Sequence, residues 1–242
     1  MFDHVMIRVS SFARSAPQLR AVLSDLAIEP TAYSDRFARW GRFLVTQADD
    51  AHPATQRLHV AFIAPSAEHV DAFWWTGLAV GLGEDGAPGL RPQYGDDYHA
   101  AYLRDADGNS IEAVYHSAAP RRGLLDHVTV RVADLPRSTA FYEIVAARTG
   151  LAVRASAEAT ALVDTLPGDS LLLLRGAPTQ GLHLAYPASE AAVREFYREA
   201  VAAGYRGNGE PGPRPQYGAG YFGAFALDPD GNNIELVDRR TA

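Results

Sequence analysis

The stretch GEPGPRPQYGAGYFGAFALDPDGNNIELVD fills residues 209–238, and GAPGLRPQYGDDYHAAYLRDADGNSIEAVY fills residues 86–115. The two align without a gap at an offset of 123, and 17 of the 30 positions are identical. Asp3-His4-Val5 returns as Asp126-His127-Val128 at the same offset. Between these landmarks LHVAF from Leu58 matches LHLAY from Leu182, one residue further along. A fixed period of this size marks an internal duplication. The chain therefore divides into a first module at residues 1–117, a linker at 118–124 with Pro, Gly and two Arg, and a second module at residues 125–242.

Hydrophobic periodicity gives each copy the same plan. Val128, Val130 and Val132 alternate with His127, Thr129 and Arg131, which is the period of a strand with one buried face. Asp134 followed by Pro136 reads as a helix start, with Phe141, Tyr142 and Val145 at helical spacing. Two or three strands follow, closing with the apolar run 171–174. The second half of the copy repeats this order: a strand at 182–186, a helix capped by Ser189 and stopped by Gly204, a glycine–proline loop at 207–220, and strands at 221–227 and 234–238 joined by the turn DPDGNN. The fold class is α+β. Each copy is a β-α-β-β-β unit twice over, with helices on one face of a curved sheet and an open cup on the other.

The residues with chemistry lie on that open face. His127, His183 and Glu235 occupy the strand phase opposite to the helix-packing residues. His4, His59 and Glu112 hold the same phase in the first copy, where Val5, Ile7 and Val9 alternate with His4. Two imidazoles and a carboxylate suit zinc, iron(II), manganese, cobalt or nickel, and three protein ligands leave positions open for substrate oxygens. The simplest grouping gives each copy its own trio. The sequence leaves open whether the units close on each other within a copy or between copies.

Arg91 with Arg214, Tyr94 with Tyr217, and Tyr98 with Tyr221 are the other polar residues shared by the copies. The tyrosines are expected to act as catalytic donors or acids, or else to pack. The arginines are expected to bind a substrate carboxylate or enolate, or else to anchor their own loops. The turns at 105–109 and 228–232 look briefly like calcium loops but lack the later Glu, so they are read as hairpin turns. His52, His69, His99 and His116 have no counterpart in the second copy and are read as surface or local hydrogen-bonding residues, with His99 nearest the cup.

Composition narrows the function. The absence of Cys excludes disulfides, zinc fingers, iron–sulfur clusters and thiol nucleophiles. A net charge of −7 argues against general attraction to nucleic acid or anionic membrane. No apolar run nears the ~20 residues of a membrane helix, and no signal-peptide pattern opens the chain, so the cytoplasm is the expected location. A monomer or a homodimer is expected, with a small molecule as partner.

DHVTVRVADLPRSTAFY, LHLAY and RPQYGAGYFGAFALDPDGNNIELV together resemble the glyoxalase/bleomycin-resistance/extradiol-dioxygenase superfamily, the vicinal oxygen chelate proteins. The resemblance covers nearly the whole chain. It implies paired βαβββ units with a divalent metal in each cup, held by His4, His59 and Glu112 and by His127, His183 and Glu235. It also implies a metal-dependent enzyme acting on adjacent oxygens, of lyase, isomerase or ring-cleaving dioxygenase type. The alternative it offers is sequestration of an antibiotic or aromatic metabolite in a cleft of Trp40, Phe43, Trp74, Trp75, Tyr94 and Tyr98. Relatives often place a fourth ligand on the fourth strand, where this chain has Gln47 ending one run and Arg175 the other. The second copy is expected to be the better preserved in chemistry.

Overall fold

The computed structural model describes residues 1–118, 123–164 and 169–239; residues 119–122 of the expected linker lie outside these. The first quarter of the chain forms β1 (His4–Val9), α1 (Phe12–Asp25), β2 (Ala32–Tyr33), β3 (Phe37–Trp40) and β4 (Phe43–Gln47). The second forms β5 (Leu58–Ile63), α2 (Ala67–Ala79), β6 (Gly83–Leu90), β7 (Tyr98–Arg104) and β8 (Ser110–His116). The third forms β9 (Leu125–Val132), α3 (Leu135–Thr149), β10 (Ala152–Ala155), β11 (Ala159–Val163) and β12 (Ser170–Arg175). The last forms β13 (His183–Pro187), α4 (Glu190–Ala202), β14 (Gly207–Pro213), β15 (Tyr221–Leu227) and β16 (Asn233–Arg239). The fourfold βαβββ plan is the one the periodicity sets.

The helix signals operate as their chemistry requires. Asp134 accepts the Arg137 N–H at the start of α3, and Gly150 ends that helix at φ 75°. Ser189 does the same for Ala192 in α4. Residues 207–213 depart from the expectation of a loop. They form the edge strand β14, paired only with β15 and broken by register shifts at its glycines. An edge strand tolerates Pro and Gly because one side of its backbone needs no ladder partner. The equivalent β6 behaves identically against β7.

The units pair across the repeat. One eight-stranded sheet runs β14-β15-β16-β13-β1-β4-β3-β2, and the other runs β10-β11-β12-β9-β5-β8-β7-β6. The first quarter thus joins the last, and the second joins the third. Each seam is antiparallel and short: His4 faces Ala185 and Met6 faces His183 across β1 and β13. Ala61 faces His127 and His59 faces Thr129 across β5 and β9. Sequence repeats and sheets therefore follow different boundaries.

Helices cover the opposite sheet faces, with α1 against α2 and α3 against α4, so each helix pair joins one sheet to the other. A single apolar core fills the space between. Phe43 and Phe62, one from each sheet, meet edge to face at 5.1 Å with both rings fully buried. Burial of a side chain of this size contributes about 1.5–3 kcal/mol. Among the described residues, no helix is long and apolar enough to cross a membrane.

Candidate metal centres

Strand pairing decides which ligands meet. Ala185 is the register partner of both His4 and Glu235, and His183 lies two residues before it on the same face. Ala61 holds the same place between His127 and Glu112, with His59 two residues before it. The trios are consequently His4, His183 and Glu235 in a first cup, and His59, Glu112 and His127 in a second. This corrects the grouping of one trio per copy. All six residues converge on cups, but each cup draws from both halves of the chain. No copy owns a site, so the expected advantage of the second copy has no structural counterpart.

In the first cup the Nε2 atoms of His4 and His183 are 3.0 Å apart, and Glu235 Oε2 lies 3.1 Å from His183 and 3.9 Å from His4. In the second cup His59 Nε2 is 2.8 Å from Glu112 Oε2 and 3.1 Å from His127 Nε2, with His127 to Glu112 at 3.5 Å. Metal–ligand bonds of about 2.0–2.2 Å set neighbouring donors about 3.0–3.5 Å apart, and most of these separations lie in or near that range.

The histidine tautomers strengthen that reading. His4 Nδ1 lies 2.7 Å from Asp3 Oδ1, and His127 Nδ1 lies 2.9 Å from Asp126 Oδ1. An ionised carboxylate only accepts, so each Nδ1 carries a proton and, in the neutral ring, each Nε2 turns a lone pair into its cup. Burial opposes ionisation of Asp3, yet hydrogen bonds from His4 and Arg239 hold it well below the usual carboxylate range. His183 is pushed below the ordinary imidazole value by burial, partly offset by its Glu235 hydrogen bond. A neutral imidazole is the ligand form. In each cup two imidazole Nε2 atoms and a carboxylate oxygen thus crowd one point, an arrangement that could hold a cation.

The tyrosines divide by position. Tyr221 donates to Glu235 Oε1 at 2.6 Å, and Tyr98 donates to Glu112 Oε1 at 2.6 Å. Burial, then the adjacent carboxylate, hold both phenols well above their usual range. They are placed as donors to Oε1, which leaves Oε2 facing the histidines. Gly223 makes room for this: a Cβ there would meet Glu235 Oε1 at 2.7 Å. Tyr94 and Tyr217 are exposed at the rims, their rings 5.4 and 5.3 Å from Tyr98 and Tyr221.

Arg91 and Arg214 do not line the cups. Each donates to carbonyls of its own loop, Arg91 to Ala87 and Leu90, Arg214 to Glu210 and Pro213, and each lies over a neighbouring ring. These contacts tie each arginine to its own loop, as the anchoring alternative requires. Gln47 is also spent on main chain, accepting from Phe12 N and donating to the carbonyls of Ser10 and Ala48. The cup-facing positions of the fourth strands are Leu44 and Leu172, so no fourth carboxylate or amide enters either cup from there.

Sequence reasoning missed the residues behind the ligands. Asp3 and Asp126 were visible as an acidic residue preceding His in both copies. His116, read as a surface or local hydrogen-bonding residue, contacts Asp126 at 2.9 Å and lines the second cup. His99 instead sits 3.3 Å from Asp71 on the exterior. Of the aromatic residues expected to line a cleft, Trp40, Phe43 and Trp74 are core residues and Trp75 is exposed on α2, whereas Tyr94 and Tyr98 line the second cup. The first cup encloses about 980 Å³ and the second about 740 Å³.

Residues 124–236 match the family model described as "Glyoxalase/Bleomycin resistance protein/Dioxygenase superfamily". Among solved structures, glyoxalase I of Zea mays is similar with 18% identity and TM-score 0.64, over 98% of this chain and 92% of that one. A candidate dioxygenase of Bacillus subtilis is similar with 12% identity and TM-score 0.64, over 100% and 86%. A glyoxalase/bleomycin resistance protein of Albidiferax ferrireducens has 36% identity and TM-score 0.43, over 47% of this chain and 98% of its own. A search of the curated proteins found no match.

Proposed function

We propose that the chain, whose residues 124–236 match the glyoxalase/bleomycin resistance protein/dioxygenase superfamily model, is a metal-dependent enzyme of that superfamily acting on a small molecule with two adjacent oxygens. The observation that carries this is the aspartate-held Nδ1 of His4 and His127, which turns each Nε2 toward a second imidazole and a carboxylate oxygen. His4, His183 and Glu235 would hold one divalent ion, and His59, Glu112 and His127 another. A bound ion supplies Lewis acidity and a template for vicinal oxygens.

The chain's own residues supply the rest. Tyr221 and Tyr98 fix the carboxylates, Asp3 and Asp126 fix imidazole tautomers, and Ala185 and Ala61 form floors small enough to admit an ion. Two His and one carboxylate, with leucine at the fourth-strand position, form the facial pattern that leaves room for a bidentate substrate and one further ligand. That favours ring-cleaving oxygenase chemistry, with iron(II) as the preferred ion, over a lyase using four protein ligands.

Metal analysis and binding of a catechol probe test the reading. Two ions per chain and chelator-sensitive catechol binding are expected, with iron(II) supporting oxygen uptake. Catechol binding that persists in the metal-free protein would instead support sequestration, and no bound metal would remove the proposal.

A further inference from the structure

The two cups share ligands and register but differ in how their histidines are held. In the first cup both rings are braced at Nδ1. His4 is held by Asp3, which Arg239 grips through two contacts of 2.7 Å. His183 Nδ1 lies 2.8 Å from the side-chain amide nitrogen of Asn233, whose Oδ1 accepts from Asn208 Nδ2 at 2.9 Å, and an amide's nitrogen and oxygen exchange places on a half-turn. With both amides turned so that oxygen faces the imidazole N–H, the chain of donors and acceptors closes and Nε2 of His183 carries a lone pair.

In the second cup only one ring is braced. His127 is held by Asp126 and, behind it, His116. The partner of His59 in the strand register is Ser110, where the first cup has Asn233 opposite His183. Among the described residues, Nδ1 of His59 has no hydrogen-bond partner. Its side chain is 23% exposed, against 5% for His183. The position equivalent to Asn208 is Asp85, which is spent on Arg104.

We propose that the cups bind metal unequally, the first filling before the second, and that Asn233 is the positioning residue that sets the order. This rests on the metal reading above. An outer partner that fixes tautomer and ring orientation is worth about 10–100-fold in metal affinity. The first cup has one more such partner, so its dissociation constant is lower by about that factor.

Zinc(II) added to metal-free protein against a competing chelator reads this directly. Two classes of site are expected, separated by about 10–100-fold. His183→Ala should remove the tight class and His59→Ala the weak one. Asn233→Ser should weaken the tight class by about tenfold, Asn233→Asp should restore it by keeping an acceptor at Nδ1, and Ser110→Asn should strengthen the weak class. The serine-site variant tests the idea from the other cup, so a folding defect at residue 233 does not shelter it. Two equal sites, a tight class that survives His183→Ala, or affinities unmoved by both exchanges would overturn the inference while leaving the metal reading intact. Absence of any bound zinc would overturn both.

Discussion

The first cup brings His4, His183 and Glu235 together from opposite ends of the chain, whereas the second brings His59, Glu112 and His127 together from its middle. Both use the same rows, a His, an Ala and a Glu across three neighbouring strands, with the second His on the diagonal. Behind the rows they diverge: Arg239 against His116 on the aspartate, Asn233 against Ser110 beside the diagonal histidine, and Gly223 against Ala100 below the glutamate. Duplication preserved the groups that can touch an ion and let the groups that tune it drift. Metal chemistry tolerates such drift because the ligand set decides whether an ion binds and the outer partners decide how tightly.

The largest effect that sharpens this comparison comes from the carboxylates. Glu235→Ala should empty the first cup and spare the second, with Glu112→Ala doing the reverse. Each loss should exceed the roughly 10–100-fold effect of an outer partner. Metal content per chain by elemental analysis checks this, and a variant that lowers both sites together would break the picture of two separate cups.

A smaller effect is expected at the tyrosines. Tyr221→Phe and Tyr98→Phe each free one carboxylate oxygen and should weaken their own site by about tenfold. Neither should abolish a pH-dependent step, because these phenols stay protonated. A chelator-competition measurement of zinc affinity in each variant reads the effect.

The smallest contrast lies in the two DxDGN hairpin turns. Burial lifts the Asp228 carboxyl to about 6, above its usual 3.8, while Asp105 shifts in the same direction for the same reason. Between the unfolded and folded values the native chain binds more protons than the unfolded one, so this contribution grows as pH falls and is lost as pH rises through 6. Relative to Asp228→Asn, the natural chain should gain on the order of 1 kcal/mol in stability between pH 7 and pH 5. Denaturant midpoints at the two pH values measure it; parallel pH profiles would contradict it.

Much of this was legible from phase. Alternation placed all six ligands on open sheet faces, and the caps and turns at Asp134, Ser189 and Asp228 worked as their residue types require. The pairing of units was not legible. All four units carry a first strand of similar pattern, and the seam between two such strands involves few residues, such as Val5 with Leu184 and Val60 with Val128. Nothing in alternation tells β1 to choose β13 over β5. The outer partners were hidden for a related reason: Asn233 gains meaning only from His183, 50 residues earlier on a neighbouring strand, and His116 only from the aspartate that the next strand brings beside it. The edge strands β6 and β14 were obscured by the glycines and prolines that an unpaired edge accepts.

The central claim is that each cup is assembled across the two halves, and paired histidine exchanges test it most directly. Metal content should fall to zero in His4→Ala/His59→Ala, which damages both cups. His4→Ala/His183→Ala should keep one ion, because it damages only the first. The opposite result, one ion retained in the former and none in the latter, would mean that each repeat closes its own site.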